Sequence, residues 1–106
     1  MAWLTLALAI VAEVFGTTML KVASQTPGVW SILGVAAGYA AAFALLFLTV
    51  RAVPLGIAYA IWSGAGTALV ALVGWVVFEQ RLSGAALIGI AMIAAGVVVL
   101  QLAAPE

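Results

Sequence analysis

Residues 1–20, MAWLTLALAIVAEVFGTTML, contain one carboxylate, Glu13, and no other charged side chain. A helix needs about 20 apolar residues to cross a bilayer, so this segment is long enough to do so. At 1.5 Å per residue, Glu13 lies about 18 Å from the start of the helix, and its short side chain reaches neither membrane surface. Ionisable groups at this depth usually face a cavity or a partner, so we interpret Glu13 as a proton- or cation-binding site. The alternative is a protonated glutamate with a purely structural hydrogen bond.

The composition predicts an integral membrane protein. The chain has 106 residues, of which 69% are hydrophobic and 6% charged, and its mean hydropathy is +1.42. Soluble domains carry about 25% charged residues. The sequence has no histidine and no cysteine, so it lacks the usual residues for metal sites, haem ligation and disulfides. It has no net charge, so a nucleic-acid-binding surface is not expected. We therefore expect no metal, no cofactor other than protons as coupling ions, and no nucleic-acid partner.

Three short polar segments, rich in turn formers such as Pro27 and Pro54, divide the chain into four apolar spans. Lipid requires backbone pairing within each span, and connections this short make sequential helices antiparallel. The sequence thus predicts an all-α membrane protein, a four-helix bundle in a single domain over residues 1–106. The predicted helices cover about residues 2–20, 29–50, 54–78 and 85–103.

The charges that orient membrane proteins are almost balanced. Lys21 and Arg81 fall on one side of the predicted bundle, and Arg51 with the terminal amine falls on the other. Because Lys and Arg set orientation, this sequence favours neither side strongly. The chain can therefore insert in both orientations, or the weak bias suffices for one. Its short length suggests that an oligomer forms the working unit.

Small residues indicate where helices meet. Gly34, Gly38 and Ala42 recur every four residues in the second span, a pattern that lets helix backbones approach closely in lipid. Gly89 and Gly96 lie on one stripe of the fourth span, which carries no charge. We interpret the fourth span as an association helix with these two glycines at a dimer interface. The alternative is generic apolar sequence.

Residues three, four or seven positions from Glu13 share its helix face. Small neighbours leave the carboxylate room, and burial favours its protonated form. The ionised form attracts an organic cation, so one site that holds a proton or a cation provides the chemistry of an exchanger. The candidate contacts on this face are Leu6, Ala9, Ile10, Gly16 and Thr17.

The third span supplies aromatic groups. Tyr59 and Trp62 are three residues apart and share a helix face. Aromatic faces attract cations by about 0.5–2 kcal/mol, and indole is the strongest of them. Tyr39 on the second span offers a phenol for the carboxylate, and we include Ser63, next to Trp62, among the substrate contacts. Core packing is the alternative for each aromatic residue.

Gly64 and Gly66 follow Trp62 closely. Two glycines inside a helix weaken it and often mark a kink, so we predict a hinge that exposes the buried site to alternate sides. The alternative is close helix packing.

Two long motifs resemble the small multidrug resistance family, in particular its EmrE-like quaternary-ammonium branch. They are AEVFGTTMLK at residues 12–21 and PLGIAYAIWSG at residues 54–64, and EQRL at residues 79–82 matches a loop pattern in its last three positions. The resemblance implies a multi-pass protein of the bacterial inner membrane that works as an antiparallel homodimer. It also implies that paired Glu13 residues bind protons or substrate, that Tyr39, Tyr59 and Trp62 line the pocket, and that the fourth helix forms dimer contacts.

Guanidinium-exporting relatives carry a tryptophan at the position of Gly16 and a hydroxyl at that of Ala42. Their absence indicates a larger, less directional pocket for lipophilic, weakly hydrogen-bonding cations. We therefore predict a proton-coupled antiporter that exports hydrophobic and quaternary ammonium cations by alternating access. The alternatives are a guanidinium exporter and a non-transporting assembly subunit. No second carboxylate or nucleophile–base pair accompanies Glu13, so an enzyme is not expected.

Overall fold

The computed structural model describes residues 1–103, which form four helices and no strand within that range. Each helix is long and apolar enough to cross a membrane. The predicted all-α fold with four membrane-spanning helices is confirmed. The predicted single domain covers residues 1–106, and its last three residues, 104–106, lie outside the described residues. The helices are α1 at Ala2–Gln25, α2 at Val29–Thr49, α3 at Leu55–Val76 and α4 at Gly84–Ala103.

Helix α1 extends further than predicted, to Gln25 rather than to residue 20. The polar residues after position 20 are not helix breakers, so the helix continues past Lys21. It ends at Thr26, which has φ −136° and ψ 83°. The following residue is Pro27, and a residue before proline is disfavoured in the helical conformation. The other predicted helix bounds agree with the structure to within two residues.

The four helices lie side by side in the order α2, α1, α3, α4. Helix α1 packs against α2 and α3, and within residues 1–103 helix α4 packs only against α3. The backbone extends over 43 × 34 × 16 Å, so the helices form a slab that is one layer thick. Helix α4 has no buried residue. Three helices therefore contribute to the interior, and the fourth is attached at one edge.

Glycines set the distance between α1 and α2. A methyl group placed on Gly38 would lie 2.7 Å from the Cα atom of Gly16 and 3.0 Å from the carbonyl oxygen of Ala12. On the same face of α2, a methyl group on Gly34 would meet Met19 at 2.7 Å, and Ala42 is fully buried. The predicted small-residue face of α2 is thus a helix contact, and its partner is α1.

The core lies between α1, α2 and α3. At one end, Thr5 and Thr49 bring their hydroxyl oxygens to 2.9 Å across α1 and α2, and Thr49 is fully buried. The buried apolar side chains are Leu6, Ala9, Ile10, Ala42, Leu46, Val53, Ala58, Ile61 and Trp62. By contrast, methyl groups on Gly89 and Gly96 of α4 would meet nothing within 4 Å. Their role at a dimer interface stays a prediction.

We predict that Gly38→Ala lowers the free energy of unfolding by about 1–3 kcal/mol, because the methyl group meets backbone atoms that cannot move aside. The measurement is sodium dodecyl sulfate titration in mixed micelles, followed by circular dichroism. Gly56→Ala on α3 is the matched control, since its methyl group would meet no atom within 4 Å. Equal midpoints for the two variants would show that α1 and α2 do not approach this closely.

Candidate functional site

A hydrogen-bond chain holds the Glu13 carboxylate from α1 and α2. The hydroxyl of Thr17, one turn further along α1, donates to Oε1 of Glu13 at 3.0 Å. The hydroxyl oxygens of Thr17 and Tyr39 are 2.7 Å apart. Because the single hydroxyl proton of Thr17 goes to Glu13, the Tyr39 hydroxyl donates to Thr17. Both hydroxyls therefore donate in the direction of the carboxylate.

The other carboxylate oxygen faces α3 and has no partner. Oε2 of Glu13 is buried and accepts no hydrogen bond from the described residues. It lies against the backbone of Gly66, where a methyl group would come within 2.6 Å of it. Buried oxygens are rarely left unpaired, so Oε2 retains the capacity to take up a proton, a water molecule or a cation.

Trp62 is the aromatic centre of the site. Its side chain is only 7% exposed. The rings of Phe43 and Tyr59 meet it edge-to-face, with centroid distances of 5.2 and 5.4 Å. Its Nε1 atom is buried and has no hydrogen-bond partner among the described residues. The indole is thus held in position by packing while its polar atom remains unused.

Glu13, Trp62, Ser63 and Thr67 line a cavity of about 160 Å³. The Ser63 hydroxyl donates to the Tyr59 carbonyl at 2.8 Å, and the Thr67 hydroxyl donates to the Ser63 carbonyl at 2.6 Å. Because both hydroxyls donate to carbonyl groups of their own helix, only their oxygen lone pairs are available to the cavity. A carboxylate, hydroxyl oxygens and an indole ring together form an environment suited to a cation.

A larger cleft, of about 350 Å³, separates the C-terminal halves of α1 and α3. It shares Thr17 with the hydrogen-bond chain of Glu13, so the two features adjoin. Near its end, the Gln80 backbone N–H donates to the Gly74 carbonyl at 3.0 Å, which folds the third loop over α3. The sequence analysis did not predict this cleft. Its lining residues are Thr17, Thr18, Leu20, Lys21, Ser24, Val70, Val73, Gly74, Phe78 and Gln80.

The structure brings most of the predicted site residues together. Ser63 and Trp62 line the cavity with Glu13, and a methyl group on Gly16 would meet the Tyr39 ring at 3.2 Å. Three predicted contacts lie elsewhere, in the buried core, and line neither the cavity nor the cleft. They are Leu6, Ala9 and Ile10. Their assignment to substrate contact stays a prediction.

Two residues of the site were missed. Thr67 lies four positions after Ser63, so the helical repeat that grouped Tyr59 with Trp62 also places Thr67 on the cavity side. Phe43 packs against Trp62, but the two residues are on different helices and no sequence signal pairs them.

Gly64 and Gly66 occupy an unbroken helix, since α3 runs from Leu55 to Val76. A methyl group on Gly64 would lie 2.8 Å from Cγ2 of Val97 on α4, and one on Gly66 would collide with Glu13. Close packing thus accounts for both glycines in this conformation, and the hinge stays a prediction.

Residues 1–103 contain no group of three His, Cys, Asp or Glu side chains that could hold a metal ion. Glu13 is the only carboxylate inside a helix in this range. Any cation in the cavity would therefore meet a single negative charge from one copy of the chain.

Comparison with known proteins relates this chain to multidrug and quaternary ammonium resistance proteins. Residues 1–93 match the family model described as Small Multidrug Resistance protein. A multidrug transporter of Pseudomonas aeruginosa is 50% identical over 100 residues, which cover 94% of this chain and 91% of that protein. The multidrug transporter EmrE of Escherichia coli K12 is 46% identical over 94 residues, 89% of this chain and 86% of EmrE. The quaternary ammonium compound-resistance protein QacF of Klebsiella aerogenes is 41% identical over 100 residues, 94% of this chain and 91% of QacF.

We predict that Gly66→Ala displaces the Glu13 carboxylate, because the new methyl group would lie 2.6 Å from Oε2. The measurement is the carbon-13 NMR signal of labelled glutamate carboxyl groups, in which Glu79 and Glu106 serve as internal references. Gly64→Ala is the control, since its methyl group meets α4 instead. We expect the Glu13 signal to move in Gly66→Ala alone. Equal shifts in both variants would contradict the contact between Gly66 and Glu13.

Proposed function

This chain belongs to the small multidrug resistance family, and from that premise we propose that it is a proton-coupled antiporter of hydrophobic and quaternary ammonium cations. The family is one of transporters, and the chain is a multi-pass protein of the bacterial inner membrane. The observation that carries the proposal is the Glu13 carboxylate, whose Oε2 atom is buried without a hydrogen-bond partner among residues 1–103 and whose side chain shares a cavity with Trp62.

The proposed exchange uses one carboxylate for two mutually exclusive ligands. Ionised Glu13 neutralises a bound cation, and the hydroxyl of Thr17 holds the carboxylate in place. Protonation removes the charge, and the cation then loses the only carboxylate among the described residues that faces it in the cavity. The incoming proton therefore releases the cation. A proton gradient supplies about 1.4 kcal/mol per pH unit for this exchange.

The aromatic cluster is proposed to bind the apolar and cationic surface of the substrate. Trp62 offers its ring to the cavity, and Phe43 and Tyr59 hold that ring by edge-to-face contacts. An indole ring attracts a cation without requiring a hydrogen bond from it. Quaternary ammonium groups have no N–H to donate, so this mode of binding suits them. The name of the relative QacF supports the same substrate class.

We propose that the working unit is a homodimer of oppositely oriented copies. Its support is the near balance of Lys21 and Arg81 against Arg51 and the terminal amine, together with a helix α4 that has no buried residue. The two Glu13 carboxylates would then face a shared site that opens to alternate sides of the membrane. Gly89 and Gly96, which meet no atom within this copy, are proposed to lie at the contact between α4 helices.

The preference for lipophilic cations over guanidinium is proposed from two positions. Gly16 packs so closely against Tyr39 that even a methyl group would meet the ring at 3.2 Å, which leaves no room for a tryptophan. Ala42 is fully buried and offers no hydroxyl. Neither position supplies the donors that hold a carboxylate for guanidinium in the other branch.

We predict that Glu13→Gln abolishes exchange, because glutamine keeps a similar shape and hydrogen-bonding capacity but cannot alternate between charged and neutral states. The measurement is uptake of tetraphenylphosphonium into proteoliposomes driven by an acidic interior. Glu79→Gln, in the exposed third loop, is the control and should retain wild-type uptake. Full proton-driven uptake by Glu13→Gln would refute the antiporter, and normal dimer formation without uptake would argue against a purely structural glutamate.

Competition between proton and cation predicts a specific pH dependence. Only ionised Glu13 binds the cation, so lowering the pH weakens binding. Once Glu13 is mostly protonated, the dissociation constant for tetraphenylphosphonium should rise about tenfold with each further pH unit. Isothermal titration calorimetry in micelles at a series of pH values measures this slope. In Glu13→Gln any remaining affinity should be independent of pH, and an equal slope in that variant would place the titrating group elsewhere.

A further inference from the structure

The cavity beside Glu13 contains more acceptors than donors. The hydroxyl protons of Ser63 and Thr67 are used by carbonyl groups of α3, and an ionised carboxylate only accepts hydrogen bonds. Among the residues that line the cavity, the Nε1–H group of Trp62 is the one side-chain donor without an acceptor in the described chain. It belongs to a side chain that is more than nine-tenths buried.

A quaternary ammonium ion satisfies only some of the groups in this cavity. Its charge pairs with Glu13 and its alkyl groups contact the indole ring, but it offers no acceptor to the indole N–H. Bulky alkyl groups would also keep water away from that donor. A buried donor without a partner is costly, and a site that contains one discriminates against ligands that leave it unpaired.

We propose that this site selects cations carrying an ether or carbonyl oxygen a few bonds from the charged centre, with Trp62 Nε1–H donating to that oxygen. The inference rests on the proposed cation site at Glu13 and names a narrower substrate class for it. Glu13 Oε2 and Trp62 Nε1 are both buried and unpaired, and their side chains line one cavity. A ligand with a positive charge and an acceptor satisfies both groups at once.

The arrangement on α3 explains how the donor is kept available. Edge-to-face contacts with Phe43 and Tyr59 fix the indole ring, so the ring cannot turn its N–H toward another acceptor without losing both contacts. Trp62 and Gly66 are one helical turn apart, and Gly66 contacts Glu13 Oε2. One face of α3 thereby brings the donor and the carboxylate to the same cavity.

The test compares two probes that differ by one atom group. Butyltrimethylammonium and (2-methoxyethyl)trimethylammonium have the same chain length, and an ether oxygen replaces one methylene group. Calorimetry in micelles gives both dissociation constants for the wild type, for Trp62→Phe and for Trp75→Phe. Trp62→Phe keeps a ring but lacks the N–H, and Trp75→Phe makes the same change on α3 at a residue that lines neither the cavity nor the cleft.

The ratio of the two affinities within each protein cancels the effect of each variant on cation binding in general. The difference in hydration between the probes is the same for every protein. We expect Trp62→Phe to lower the preference for the ether about two- to tenfold, the range of one hydrogen bond, and Trp75→Phe to leave it unchanged. An equal ratio in wild type and Trp62→Phe overturns the proposal and shows that the N–H is satisfied in another way, for example by a second copy.

A second measurement does not depend on the folding of Trp62→Phe. The indole N–H signal of Trp62 is assigned in nitrogen-15 spectra by elimination, using Trp3→Phe, Trp30→Phe and Trp75→Phe. The ether probe should move this signal downfield relative to the alkyl probe, and identical positions would overturn the proposal. If only the proposed hydrogen bond from Trp62 is wrong, the protein should still release a proton when it binds butyltrimethylammonium. If no proton is released, the proposed antiporter itself is refuted.

Discussion

The cost of an ionisable group inside the membrane governs the packing of three of the four helices. Glu13 receives one hydrogen bond, from Thr17, and its other oxygen lies against Gly66 of α3. Helix α2 reaches the same region because Gly16 and Gly38 let two backbones touch. A larger residue at any of these glycines would separate the helices or displace the carboxylate. Small residues around Glu13 thus determine how closely it is enclosed, and the proposed competition between proton and cation depends on that enclosure.

Helix α4 follows a different rule from the other three. It has no buried residue, and within the described chain it contacts only α3, where Gly64 admits Val97. Apolar side chains gain no hydrophobic stabilisation from burial against a neighbour in lipid, so a helix can remain at the edge of the slab without penalty. What holds such helices together is close packing of small residues, and α4 has three glycines, Gly84, Gly89 and Gly96, on which a methyl group would meet nothing within 4 Å among residues 1–103. A second copy is our proposed occupant of that face.

The sequence predicted the features that depend on one helix at a time. Length and hydropathy located the spans, depth singled out Glu13, and the helical repeat grouped Tyr59 with Trp62. It predicted less well what depends on two helices. Nothing in the sequence pairs Phe43 with Trp62, because periodicity says which residues share a face but not which helix that face meets. The end of α1 was wrong because polarity was treated as a break, whereas the backbone restriction that proline places on Thr26 ends the helix.

One carboxylate per copy limits what the site can exchange. Among residues 1–103, Glu13 is the only acid within a helix, so one copy can neutralise no more than one positive charge in its cavity. A dication in one copy would keep one positive charge that no carboxylate among the described residues of that copy compensates. Two copies that share a site double the negative charge and also double the number of protons that can replace a substrate. In the proposed dimer, the charge of the cations that can be exchanged therefore depends on whether the two cavities join.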